Sequence, residues 1–202
     1  MLYVRRLALI LGLCITAFAQ QQPVMPGTPA TYTAPTRDDR IDWWAVSTFG
    51  PTSWFTGAFS SGWSTVWNSP EEWGRSPEGF AKRMATRTAN VTVANGLEAG
   101  LGAVWGEDPR FVRKGQGSFG SRIGYVAKMT LLAKYRDGGT KFAWARGIGN
   151  ASGNLVQNIW MPPGSNGAAR ITYNIGVGYS ARAGSNAFRE FWPDLRKKVF
   201  RK

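Results

Sequence analysis

Few residues in this chain could do chemistry. It has no histidine, and its single cysteine, Cys14, lies inside an N-terminal apolar run. Beyond residue 19 there is therefore no thiol nucleophile, no histidine to activate a serine, no disulfide, and no Cys/His set of the kind zinc prefers. Gly115-Gln116-Gly117-Ser118-Phe119-Gly120 matches G-x-G-x-x-G. However, Arg110 to Lys114 is too charged to be the buried strand that a dinucleotide site requires, so the motif reads as a loop. Asp38, Asp39 and Asp42 lack the spacing of a calcium loop. No cofactor and no metal are expected.

One carboxylate stands out. Glu98 is the only charge between Thr88 and Trp105. Burial favours the protonated form of a carboxyl, which is what a general acid needs, and in a basic exported protein that points to a peptidoglycan-acting hydrolase. The competing reading pairs Glu98 with Arg110 or Arg146 as a structural ion pair. The residues after it, beginning with Ala99, add no further part of a hydrolase motif. Glu107-Asp108-Pro109-Arg110 reads as a helix stop with a local ion pair.

The C-terminus is the main binding candidate. Phe188, Phe191, Trp192, Leu195 and Val199 fall on one helical face, with a bend expected at Pro193. Arg196, Lys197, Lys198, Arg201 and Lys202 crowd the last seven residues. An aromatic stripe ending in basic residues suits an anionic membrane surface or lipopolysaccharide. The alternative is that the stripe docks on the core and the charges form a solvated tail.

The elements that would position these groups follow from the punctuation of the chain. Arg5 and Arg6, the apolar run Leu7 to Phe18, and Ala17-Phe18-Ala19 before Gln20 form a removable export signal, residues 1–19. The run is shorter than the roughly 20 residues of a spanning helix. Lipid attachment at Cys14 competes, but Leu13 occupies a place that calls for a small residue. The protein is therefore expected in the periplasm or at the outer membrane. Lys plus Arg number 25 against 12 Asp plus Glu, a net charge of +13. Outside the cytoplasm that charge selects anionic lipids, lipopolysaccharide or acidic wall polymers as partners, and not nucleic acid.

Residues 20–37 are rich in Pro, Thr and Gln and read as a flexible linker. A single domain follows, residues 38–202, with no solenoid-length repeat. Asp38-Asp39 reads as the cap of a short helix that Gly50-Pro51 breaks. Phe55, Phe59, Trp63 and Trp67, four apart, mark one face of the next helix. Ser69-Pro70-Glu71-Glu72 and Ser76-Pro77-Glu78 both read as helix starts. Four G-x-x-x-G pairs, 96/100, 102/106, 120/124 and 149/153, allow close helix packing. These signals predict a mainly α fold, a compact bundle of about five helices with a short hairpin near 131–144 about Asp137-Gly138. The alternative is a small outer-membrane β-barrel, because residues 123–135 and 171–179 alternate with period two.

Ser69-Pro70-Glu71-Glu72-Trp73-Gly74, Gly79-Phe80-Ala81-Lys82-Arg83, Gly106-Glu107-Asp108-Pro109-Arg110-Phe111 and the stretch from Ser185 to Asp194 together resemble a group of exported bacterial envelope proteins with no assigned activity. The resemblance covers most of residues 38–202. It implies a stand-alone envelope protein and carries no catalytic residue or cofactor.

Overall fold

The computed structural model describes residues 32–162 and 167–199. The expected export signal, residues 1–19, residues 20–31 of the expected linker, Arg201 and Lys202 lie outside the described residues. Six α-helices and one short hairpin make up the described chain: α1 Arg37–Phe49, α2 Pro51–Val66, α3 Pro77–Trp105, α4 Phe119–Leu131, β1 Leu132–Lys134, β2 Thr140–Phe142, α5 Trp144–Gln157 and α6 Ala168–Val199. Helix α3 is central, packed against α1, α2 and α5, while α6 lies on α4 and α5.

Local chemistry sets most boundaries. The start of α1 is a capping box two residues before the expected caps. The Asp39 amide donates to Thr36 Oγ1 at 3.2 Å and the Thr36 amide to Asp39 Oδ2 at 2.9 Å. Gly50 ends α1, and Pro51 opens α2 at a position where its missing amide proton is no loss. The first Ser-Pro-Glu signal yields one 3-10 turn, Glu71–Trp73, ended by Gly74 at φ 64°. The second opens α3, where Ser76 Oγ accepts from the Gly79 amide at 3.1 Å. Gly106, at φ 80°, closes α3 in the left-handed conformation. The strands β1 and β2 pair antiparallel, with Ala133 opposite Lys141, about the Asp137-Gly138 turn. Pro193 lies within a helix that continues to Val199.

The sheet among the described residues has only these two strands, so the fold is a helical bundle and not a barrel. The period-two segments are mostly helical: residues 123–131 belong to α4 and 171–179 to α6, and only the end of the first, Leu132–Lys134, forms a strand. The alternation misleads because it scores only apolar residues. In α6 the less exposed positions are 171, 174, 175, 178, 179, 182 and 183, a helical spacing that includes Asn174, Gly178 and Arg182 beside the apolar residues. A β-carbon on Gly178 would lie 2.7 Å from Asn150 Oδ1, and Asn150 Nδ2 donates to the Ile175 carbonyl at 3.1 Å.

This inversion holds throughout the molecule. Among the described residues the buried apolar side chains are Val126, Met129, Ala133, Ala143 and Ala145. The largest fully buried ones are Glu107, Glu190, Asp108 and Pro109. In α2 the buried positions are Ser53, Gly57 and Ser61, while Phe55, Phe59, Trp63 and Trp67 are all at least 59% exposed. Stripes of small and polar residues, four apart, point inward and aromatics point outward. Close approach follows where the stripes meet. A β-carbon on Gly149 would collide with the Ala94 carbonyl oxygen, and one on Gly153 would lie 2.8 Å from the Asn90 carbonyl oxygen. The Gly120/Gly124 pair, by contrast, meets nothing within 4 Å.

Candidate functional site

The interior is organised around buried ion pairs. Glu98, on α3 and 3% exposed, accepts from Arg146 Nε of α5 at 3.0 Å and from Arg182 Nη2 of α6. Both carboxylate oxygens are thus engaged by guanidinium groups from two other helices. Arg146 also donates through Nη1 to the carbonyls of Met129, Thr130 and Leu132, each at 3.1 Å, closing the end of α4 onto the cluster. Burial holds the Arg146 guanidinium below its ordinary range, and the neighbouring Arg182 cation adds to this. Of the two partners weighed from sequence, Arg146 is present at Glu98, and Arg110 pairs instead with Asp108 at 3.0 Å.

Glu107 sits at the first turn of α5, accepting from the amides of Ala145 at 2.9 Å and Arg146 at 3.2 Å. An anion there satisfies unpaired amides and complements the helix dipole. Tyr135 Oη donates to the same carboxylate at 3.3 Å. Burial, reinforced by the Glu107 charge, pushes the Tyr135 phenol up to about 12. Tyr32, at the end of the stretch read as linker, donates to Asp108 Oδ2 at 3.2 Å, and burial with the Asp108 charge pushes its phenol up to about 12 as well. Arg110 holds the Thr33 carbonyl at 2.9 Å, so this part of the chain is strapped to the core.

A third cluster lies in the C-terminal face. Glu190, fully buried, accepts from Arg122 Nε at 2.7 Å and from the amides of Lys114 and Gly115 at 3.0 and 2.9 Å. The G-x-G-x-x-G stretch is thus a loop that folds over this carboxylate and leads into α4, capped by Ser118. Asp194 takes the other side of Arg122 at 2.5 Å. Nothing in the sequence reading anticipated Arg122, Glu190 or Arg182. The available signal was the four-residue spacing of Arg182, Asn186, Glu190 and Asp194, a polar stripe that marks the inward side of α6.

That stripe divides the expected membrane-binding residues. Phe191 packs on the Phe119 ring, centroids 5.1 Å apart, with the Arg122 guanidinium 4.5 Å above it. Phe188 and Trp192 stack at 5.0 Å on the flank. Leu195 is 50% exposed, and Arg196, Lys197 and Lys198 are exposed around it. The Val199 side chain, Arg201 and Lys202 lie outside what is described. The structure therefore leaves Phe188, Leu195, Arg196, Lys197 and Lys198 accessible, buries the Trp192 indole nitrogen and sets Phe191 against α4.

No protein-family model, curated protein or solved structure matches this chain.

Proposed function

We propose that the protein is a non-enzymatic component of the cell envelope that binds an anionic membrane surface. The observation that carries this reading is the inverted distribution of its side chains. Charges pair inside the bundle, and the large apolar residues lie outside on every helix, Trp54, Phe55, Phe59, Trp63 and Trp67 among them. On α2 and its C-terminal end the rings of Phe59, Trp63 and Trp67 lie side by side, and contiguous apolar surface of this kind marks an interaction site. The net charge, +13 for the full chain and +11 once Arg5 and Arg6 leave with residues 1–19, favours an anionic bilayer, or lipopolysaccharide, as what covers it.

No helix among the described residues is long and apolar enough to cross a membrane. The association proposed is therefore interfacial, with aromatic rings in the headgroup region and cations over the phosphates. Arg196, Lys197 and Lys198 would each contribute about 1 kcal/mol near such a surface. Using Glu98 instead as the acid of a peptidoglycan hydrolase would require it to release one of its two arginines, and wall-degrading activity abolished by Glu98→Gln would support that use.

The test is flotation of the purified chain with vesicles of phosphatidylglycerol and phosphatidylethanolamine, against vesicles of phosphatidylcholine alone. Binding to the anionic vesicles is expected, weakened at least tenfold when Arg196, Lys197 and Lys198 are all changed to Gln. Equal partition into both vesicle types, indifferent to those changes, would overturn the reading.

A further inference from the structure

Between α1 and α3 lies a cleft of about 490 Å³, within the range of small-molecule sites. Its floor is made of small residues of α3, Gly96, Ala99, Gly100 and Ala103, and Trp44 and Ile41 of α1 form an apolar wall. Its charged lining is entirely cationic: Arg37 and Arg40 from α1, and Arg136 from the hairpin. The nearest carboxylate influence on Arg40 comes from Asp108, which is already bound by Arg110 and Tyr32.

Arg40 is 6% exposed, and the partner described for it is the Glu107 carbonyl oxygen, at 2.8 Å from Nη1. Burial holds its guanidinium below the ordinary range. Asp108 opposes that and the Arg136 cation adds to it, so an anion between Arg40 and Arg136 would relieve both burial and repulsion. Arg136 Nη2 donates to the Ala103 carbonyl at 3.0 Å and Arg40 Nη1 to the Glu107 carbonyl, so both guanidinium groups stand toward the Ala103 end of the trough, and with Arg37 on the same lining they match a phosphate attached to a hydrocarbon body.

We propose that this cleft binds one anionic phospholipid, its phosphate on Arg37, Arg40 and Arg136 and its chain along Trp44 and the small-residue floor of α3. The class of ligand rests on the membrane reading above, while the cleft and its arginines do not. The site would hold one lipid with defined stoichiometry, separately from the bulk surface contact made by the C-terminal residues.

The experiment is calorimetric titration of the purified full-length chain with dihexanoyl-phosphatidylglycerol below its micellar concentration. Dihexanoyl-phosphatidylcholine and inorganic phosphate serve as the other two ligands. A β-carbon at Gly100 would meet nothing within 4 Å, so the Gly100→Phe side chain starts in open space at the cleft floor, and an unchanged thermal midpoint checks that the variant keeps its fold. Arg37→Gln with Arg136→Gln removes the two exposed cations and leaves Arg40 in place.

Saturable one-to-one binding of the glycerol lipid is expected, at least tenfold weaker in both variants and at least tenfold weaker for the choline lipid. Phosphate alone should bind far more weakly than the lipid. Phosphate binding as tightly as the lipid would overturn the apolar half of the proposal. Binding unchanged by Gly100→Phe, or without saturation, would overturn the site itself. Vesicle flotation of the same variants keeps the two readings apart. A chain that titrates with the short lipid but fails to float retains the cleft and loses the surface reading.

Discussion

Glu98 shows how far a single residue can be read before the fold is known. Its isolation in an uncharged stretch made it conspicuous, and Arg146 was legible as a partner because a carboxylate buried among small residues needs a cation. Arg182 was not legible, because it approaches from a helix 84 positions away in sequence. With both oxygens held, replacing Glu98 leaves two guanidinium groups facing each other without an anion. Glu98→Gln is expected to destabilise the protein by about 3–5 kcal/mol, the usual penalty for breaking a buried pair from one side. Glu78, whose carboxylate is exposed beside Lys82, provides the control, and Glu78→Gln should leave the urea midpoint unchanged. The two tyrosines give a pH signature. The folded state holds the Tyr135 and Tyr32 protons to about 12, above the ordinary phenol value of 10.0. Their contribution to stability is therefore complete below pH 10 and is lost as pH rises through 12. Urea unfolding between pH 9 and 12 should show this fall, and Tyr32→Phe combined with Tyr135→Phe should reduce it, leaving the part due to Tyr125 and Tyr179, whose phenols burial also pushes up.

At the scale of elements, capping chemistry was the most readable part of the chain and amphipathicity the least. Ser76-Pro77 and the Asp137-Gly138 turn act locally, so they could be found without knowing any partner. The period-two segments kept a barrel open as the alternative because a hydrophobic scale gives Gly, Ser and Asn no weight as core residues, whereas here they form contact faces. The four G-x-x-x-G pairs look alike in sequence and differ in what lies opposite, which only packing reveals. Gly149→Ala is expected to push α5 off α3 at about 1–3 kcal/mol, the range for overpacking a tight contact. Gly124→Ala, in an open helical position, is expected to stabilise by about 0.5–1 kcal/mol by restricting the unfolded chain. Opposite shifts of the two thermal midpoints would verify the assignment, and shifts of the same sign would refute it.

At the scale of the whole molecule, the helix α6 is the strut that completes the interior. Arg170 donates to Ser69 Oγ near one end, Arg182 reaches Glu98 in the middle, and Glu190 receives Arg122 near the other. In chain order it follows all the other described helices. Without it, Arg122 lacks its carboxylates and Glu98 has one cation where the finished fold supplies two. Closure of the bundle thus depends on the 32 residues of α6: the chain before it assembles Glu98 with Arg146 and Asp108 with Arg110, and leaves Arg122 and half of the Glu98 carboxylate open. A chain stopped at residue 167 should be cut rapidly in limited proteolysis where the full chain resists, and added peptide spanning 168–202 should restore part of that resistance.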